Sequence, residues 1–115
     1  MPIKTLGLTS AFALAAAVPA LAEPVFNRVA SFATPSNMAE GEDLARETSA
    51  EIISASEDGT MLVYTDSPLG VVGLVDIADP KAPKPMGNID VGGEPTTAVF
   101  VVGMIFAGVN TSESF

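Results

Sequence analysis

Residues 51–77 run Glu51-Ile52-Ile53-Ser54-Ala55-Ser56-Glu57-Asp58-Gly59-Thr60-Met61-Leu62-Val63-Tyr64-Thr65-Asp66-Ser67-Pro68-Leu69-Gly70-Val71-Val72-Gly73-Leu74-Val75-Asp76-Ile77. Short runs rich in Ile, Val and Leu alternate here with clusters of turn formers. Asp58-Gly59 between two such runs predicts a tight antiparallel hairpin, because hairpin turns need positive φ and Asp-Gly accepts it cheaply. Residues 66–70 (Asp-Ser-Pro-Leu-Gly) supply a second turn, and residues 71–76 a third strand.

Working outward, residues 78–85 form a proline-rich extended turn, residues 86–91 a fourth strand, and Gly92-Gly93-Glu94-Pro95 closes the set. A fifth run at 97–102 and a sixth at 105–109 begin the pattern again. Residues 61–67 match residues 105–111 in character at an offset of 44, inside the roughly 40 to 50 residues of one four-stranded propeller blade. Helical periodicity is absent from the region. The expected fold is therefore all-β, with about one and a half four-stranded propeller-like blades. A closed propeller takes at least about four blades, so the repeat is expected to be incomplete. Evenly spaced turns also suit a small sandwich or a plain meander.

Upstream of the repeat, residues 25–33 mix Val, Phe and Ala with Asn27, Arg28 and Ser31, which predicts an edge strand ended by Pro35. Residues 36–47 are polar and acidic and are expected to be a loop. The first 22 residues have the order of a cleavable secretory signal: Lys4, an apolar stretch over 6–18, then Ala20-Leu21-Ala22 as a small-x-small cleavage pattern. An anchor would need about twenty apolar residues, and this run stops at Pro19. The organisation expected is a signal peptide (1–22), an edge strand and acidic loop (23–47) and a repeat region (48–115). The location expected is periplasmic or secreted, with no transmembrane anchor after signal cleavage.

Losing Lys4 with the signal leaves four basic residues against fourteen acidic ones, a net charge of −10. Such a balance argues against nucleic acid and anionic membranes as partners and keeps an exported protein soluble. The chain has no Cys and no His. Disulfide stabilisation, a Ser-His-Asp triad, a His-based zinc site and an imidazole general base are thereby excluded within it.

The stretch Leu74-Val75-Asp76-Ile77-Ala78-Asp79-Pro80-Lys81-Ala82-Pro83-Lys84-Pro85-Met86-Gly87 resembles the LVIVD-type propeller repeat, a hydrophobic strand ending in Asp that runs into an Asp-Pro turn and a second proline. Residues 47–53, 65–70 and 93–97 together resemble the start of exported bacterial propeller proteins labelled alkaline phosphatase or esterase-like phytase. Val101-Val102-Gly103-Met104 departs from the polar Gly-Asp turn of that pattern. The resemblance implies a segment from the N-terminal part of a phosphate-ester hydrolase, not catalytic alone, whose open edges are covered by the remaining blades or by another chain. A non-catalytic periplasmic or cell-surface LVIVD-type binding module is the alternative it leaves, and a self-contained small β domain with a structural role is a third.

In a propeller the turns at the ligand mouth would carry Glu47, Glu51, Asp66, Ser67, Glu94, Asn110, Thr111 and Ser112. Their oxygens suit Ca²⁺, which takes about six to eight oxygen ligands in irregular geometry. Glu51, Asp66 and Glu94 are the candidate ligands, and Glu51 stands out as a carboxylate opening an apolar strand. The competing expectation is that Asp66 and Asn110 are turn formers that bond their own backbones. Ser67 and Ser112 lack an identifiable base and a Gly-x-Ser-x-Gly elbow, so neither is assigned as a nucleophile. Residues 57–59 are expected to form a solvated hairpin tip with ordinary pKa values, and Met38, Met61, Met86 and Met104 to serve packing. No catalytic or cofactor-binding residue is assigned.

Overall fold

The computed structural model describes residues 22–113, so all but the last residue of the expected signal peptide lies outside the described residues. Six strands follow a single 3-10 turn (Thr34–Asn37): β1 (Ile53–Ala55), β2 (Met61–Asp66), β3 (Val71–Asp76), β4 (Lys84–Asp90), β5 (Glu94–Val101) and β6 (Met104–Asn110). Strands β1 to β4 form one antiparallel sheet in chain order, and β5 pairs with β6 in a second sheet. The fold is all-β, and none of the described residues forms a helix long and apolar enough to cross a membrane.

Register assigns the faces of the larger sheet. Ile53 opposes Tyr64, which opposes Gly73, which opposes Asn88. Because side chains alternate along a strand, this row shares a face with Leu62 and Val75. The other face carries Val63, Thr65, Val72 and Leu74. Val63 and Val72 are buried there with Ala98 of β5, and Leu74, Phe100, Ile105 and Val91 pack around them. The core thus lies between the two sheets. Burying a valine of this kind contributes about 1.5 to 3 kcal/mol.

Two prolines sit inside strands where sequence reading placed breaks. Pro85 lies in β4, at the edge of its sheet, beside a bulge where Leu74 opposes Gly87 but Val75 opposes Pro85, leaving Met86 as the extra residue. Pro95 lies in β5 at a second irregularity, where Pro95 opposes Val109 and Thr97 opposes Gly108. Proline has no ladder donor to lose at an edge or a bulge, so both strands start earlier than a proline-as-breaker reading gives.

The edge strand expected over residues 25–33 is not formed; these residues take no ladder partner. Val25, Phe26 and Val29 are exposed, and Asn27 and Arg28 interrupt any apolar face that would bury a strand. Pro35, expected to end that strand, instead sits at the start of the 3-10 turn, where its fixed φ suits the first helical position. The acidic segment 38–46 is a succession of turns, and the first two residues of the loop expected over 36–47 belong to the 3-10 turn.

Candidate functional site

The densest polar arrangement grows from the 3-10 turn. Asn37 at its end is buried, and all four of its amide bonding positions are used. Its Nδ2 donates to Tyr64 Oη (2.9 Å) and to the Leu74 carbonyl (3.0 Å), and its Oδ1 accepts from the backbone N–H groups of Met86 (3.1 Å) and Gly87 (2.9 Å). Met86 and Gly87 are the bulge residues of β4. The Asn37 side chain therefore replaces the ladder bonds that the bulge removes, and it joins β2, β3 and β4 through one amide.

Tyr64 is almost fully buried and lies across Gly73 on the neighbouring strand; any Cβ at position 73 would overlap its ring at Cζ, Cε1 and Oη. Burial pushes the Tyr64 phenol above its ordinary value, the Asn37 bond pulls it back somewhat, and the negative charge of Asp66 adds to the rise. Beside this ring an open, mostly apolar recess of about 370 Å³ is bounded by Phe32, Ile53, Leu62, Tyr64, Val75 and Ile77. Asn88, on the same face, keeps a buried Oδ1 with no hydrogen-bond partner among the described residues.

At the other end of β2 lie the sequence candidates. Asp66 is fully buried, and its two oxygens accept from Thr48 Oγ1 and from the Leu69 N–H (3.2 Å). Ser67 Oγ lies 2.7 Å from Glu51 Oε2 and 3.1 Å from the Pro95 carbonyl. Its single proton bridges the segment before β1 and the start of β5. The Glu51 N–H itself donates to the Thr65 carbonyl (3.1 Å), which holds the Glu51 backbone at this junction. Glu94 is exposed at the start of β5, opposite Asn110. Asn110 Oδ1 accepts from the Ser112 N–H (3.0 Å), a local turn bond of the kind Asp66 makes to Leu69. Glu47 is exposed.

Among the described residues no three acidic side chains are grouped so as to hold a metal ion. The arrangement at this end works as a clasp. Thr48 and Glu51 from the incoming chain, Asp66 at the end of β2, Ser67 of the turn after it, and Pro95 of β5 are tied together by hydroxyl-to-oxygen bonds. The Ser67 hydroxyl is held between the Glu51 carboxylate and the Pro95 carbonyl.

The hairpin tip over residues 56–60 departs from its expectation. Asp58 Oδ1 accepts from Ser56 Oγ (2.6 Å), Thr60 Oγ1 (2.8 Å) and the Thr60 N–H (3.0 Å). These bonds, the Ser56 hydroxyl foremost, hold the Asp58 carboxyl below its ordinary value even though it is fully exposed. Asp-Gly identifies the turn, but only the flanking Ser56 and Thr60 hydroxyls reveal the shift. Met86 and Met104 are less buried than a packing role predicts, at 47 % and 57 % exposed, whereas Met38 and Met61 are half-buried. Asn37 was missed by sequence reading. The signal that points to it is indirect, a glycine inside the apolar strand 71–76, which marks a close approach by something large.

No family model matches the chain, and searches of curated proteins and of solved structures likewise return no match.

Proposed function

We propose that the chain is an exported β-propeller segment, similar to the N-terminal blades of the phosphatase- and phytase-labelled propeller proteins, and not catalytic by itself. One observation carries the reading. A four-stranded antiparallel meander in chain order is followed at once by β5 and β6, which lie across its face and repeat the hairpin of β1 and β2. Blade-to-blade packing in a propeller has this form. The Thr48, Asp66, Ser67 and Pro95 junction supports it, because it pins the segment entering the first sheet to the start of the next. Residues 74–87, resembling the LVIVD-type repeat, span the second half of β3, the following turn and the first half of β4.

In this reading phosphate-ester hydrolysis belongs to a complete set of blades, and the segment contributes sheet edges, export and part of a mouth. Calcium at Glu51, Asp66 and Glu94 carries less support than the architecture, because both Asp66 oxygens already accept protein bonds. The test is an assay of the purified chain against a chromogenic phosphate monoester, with and without millimolar Ca²⁺. No turnover above background is expected. Turnover that disappears in Ser67→Ala or Glu51→Gln would overturn the non-catalytic assignment. The apolar recess beside Tyr64 favours the second reading, a binding module, and binding of an apolar dye quenched by Leu62→Asp would support it.

A further inference from the structure

We propose that two copies of this chain pair through the outer edges of their β6 strands, antiparallel about a two-fold axis at Ala107. The proposal rests on the reading of β6 as a strand with a neighbour still to come, and it names that neighbour.

The sheet edges differ in how they are defended. β1 is only three residues long, and β4 carries Lys84, Pro85 and a bulge. Those are the devices by which natural sheets discourage edge pairing. β6 is seven residues long and has no charge, no proline and, along its outer edge, no partner among the described residues. In a chain of net charge −9, a strand without carboxylates lets two copies meet with less repulsion, whereas β5, the other edge of this sheet, opens with Glu94 and Pro95.

Ladder geometry decides which groups are available. Val101 and Met104 close a two-residue turn, and such a closing pair exchanges both of its backbone bonds. Alternation then directs the N–H and C=O groups of Ile105, Ala107 and Val109 away from β5. Pairing about Ala107 sets Ala107 against its own copy and Ile105 against Val109 of the copy, forming about six backbone bonds. It also sets Phe106 opposite Gly108. Thr97 Cγ2 lies 2.9 Å from where a Cβ of Gly108 would be, so that position presents bare backbone flanked by a methyl group. The pairing repeats what Tyr64 and Gly73 do across β2 and β3. It also covers part of the apolar face formed by Val99, Val101, Met104 and Phe106, each at least 40 % exposed.

The experiment is sedimentation of the full chain, recovered after export, over a range of concentrations and at low and high salt. A monomer–dimer equilibrium that strengthens with salt is expected, because screening relieves the repulsion between two acidic chains. Ala107→Pro removes an outward-facing donor while leaving the β5 ladder intact, and it should weaken the dimer about a hundredfold. Ala107→Cys provides the second arm in a chain without cysteine. Two such residues on the axis lie about 5.5 Å apart at Cα, within disulfide range, so the variant should oxidise to a covalent dimer. A monomer at every concentration, a dimer insensitive to Ala107→Pro, open-ended polymers, or an Ala107→Cys variant that stays uncrosslinked would each overturn the proposal. Far-ultraviolet circular dichroism of the same samples separates the two levels: intact β signal with no dimer refutes the pairing alone, whereas loss of β signal refutes the segment reading beneath it.

Discussion

Asn37 ties three strands of the larger sheet together through one side-chain amide. Replacing it with Ala leaves the Met86 and Gly87 donors, the Leu74 carbonyl and the Tyr64 hydroxyl without that partner at one buried point. The expected cost is about 2 to 4 kcal/mol, read from urea denaturation. The Tyr64 and Gly73 pair makes a second residue-level prediction. Gly73→Ala forces the ring aside and should cost about 1 to 3 kcal/mol, and most of that cost should vanish in a Tyr64→Ala background, as a double-mutant cycle would show. Tyr64 is the chain's one tyrosine and there is no tryptophan, so phenolate absorbance reports on it alone. Its pKa is raised on folding. The unfolded chain therefore ionises first as pH climbs past the ordinary tyrosine value, and the stabilisation present below that value is lost as pH rises through the folded pKa. Tyr64→Phe should show a flatter alkaline stability profile than the parent. Asp58 runs the other way: its lowered pKa contributes stability above the ordinary carboxylate value, lost as pH falls through the folded one.

Among the elements, the β5–β6 turn is the strained one. Val102 has φ of 48° and Gly103 φ of 73°, the conformation of a turn that favours Asn-Gly; a β-branched residue is poorly suited to it. Val102→Asn should stabilise the protein by about 1 kcal/mol, visible as a rise of about 4 to 8 °C in the thermal midpoint for a chain of this size. This element also shows how far the sequence could be read. The six apolar runs, the Asp-Gly turn and the antiparallel order were legible because strand periodicity and turn chemistry are local properties. The bulges at Met86 and near Thr96 were not, and with them went the true starts of β4 and β5, because a proline in a strand is tolerated or refused according to a neighbour that only the folded sheet supplies. The strand expected over residues 25–33 failed for a related reason, since β propensity without a facing edge does not make a ladder.

At the scale of the whole molecule, two sheets share one thin core around Val63, Val72 and Ala98, while Val99, Val101, Met104 and Phe106 on the far side of β5–β6 remain exposed. The candidate site was legible only in part. Asp66, Ser67 and Glu51 were singled out as mouth residues, and the fold does gather them at one end of β2, but as a hydrogen-bonded clasp whose partners Thr48 and Pro95 come from distant positions. Asn37 escaped notice because its importance lies in pairings with residues 27 to 50 positions away, which no local pattern encodes. The most direct test of this account is amide hydrogen exchange measured residue by residue on the native protein. Met86 and Gly87 sit at a bulge on an edge strand, where exchange would ordinarily be fast. The account predicts that both are protected nearly as well as the interior strands β2 and β3, and that Asn37→Ala abolishes the protection at these two amides first. Rapid exchange of Met86 and Gly87 in the parent protein, with β2 and β3 still protected, would contradict it.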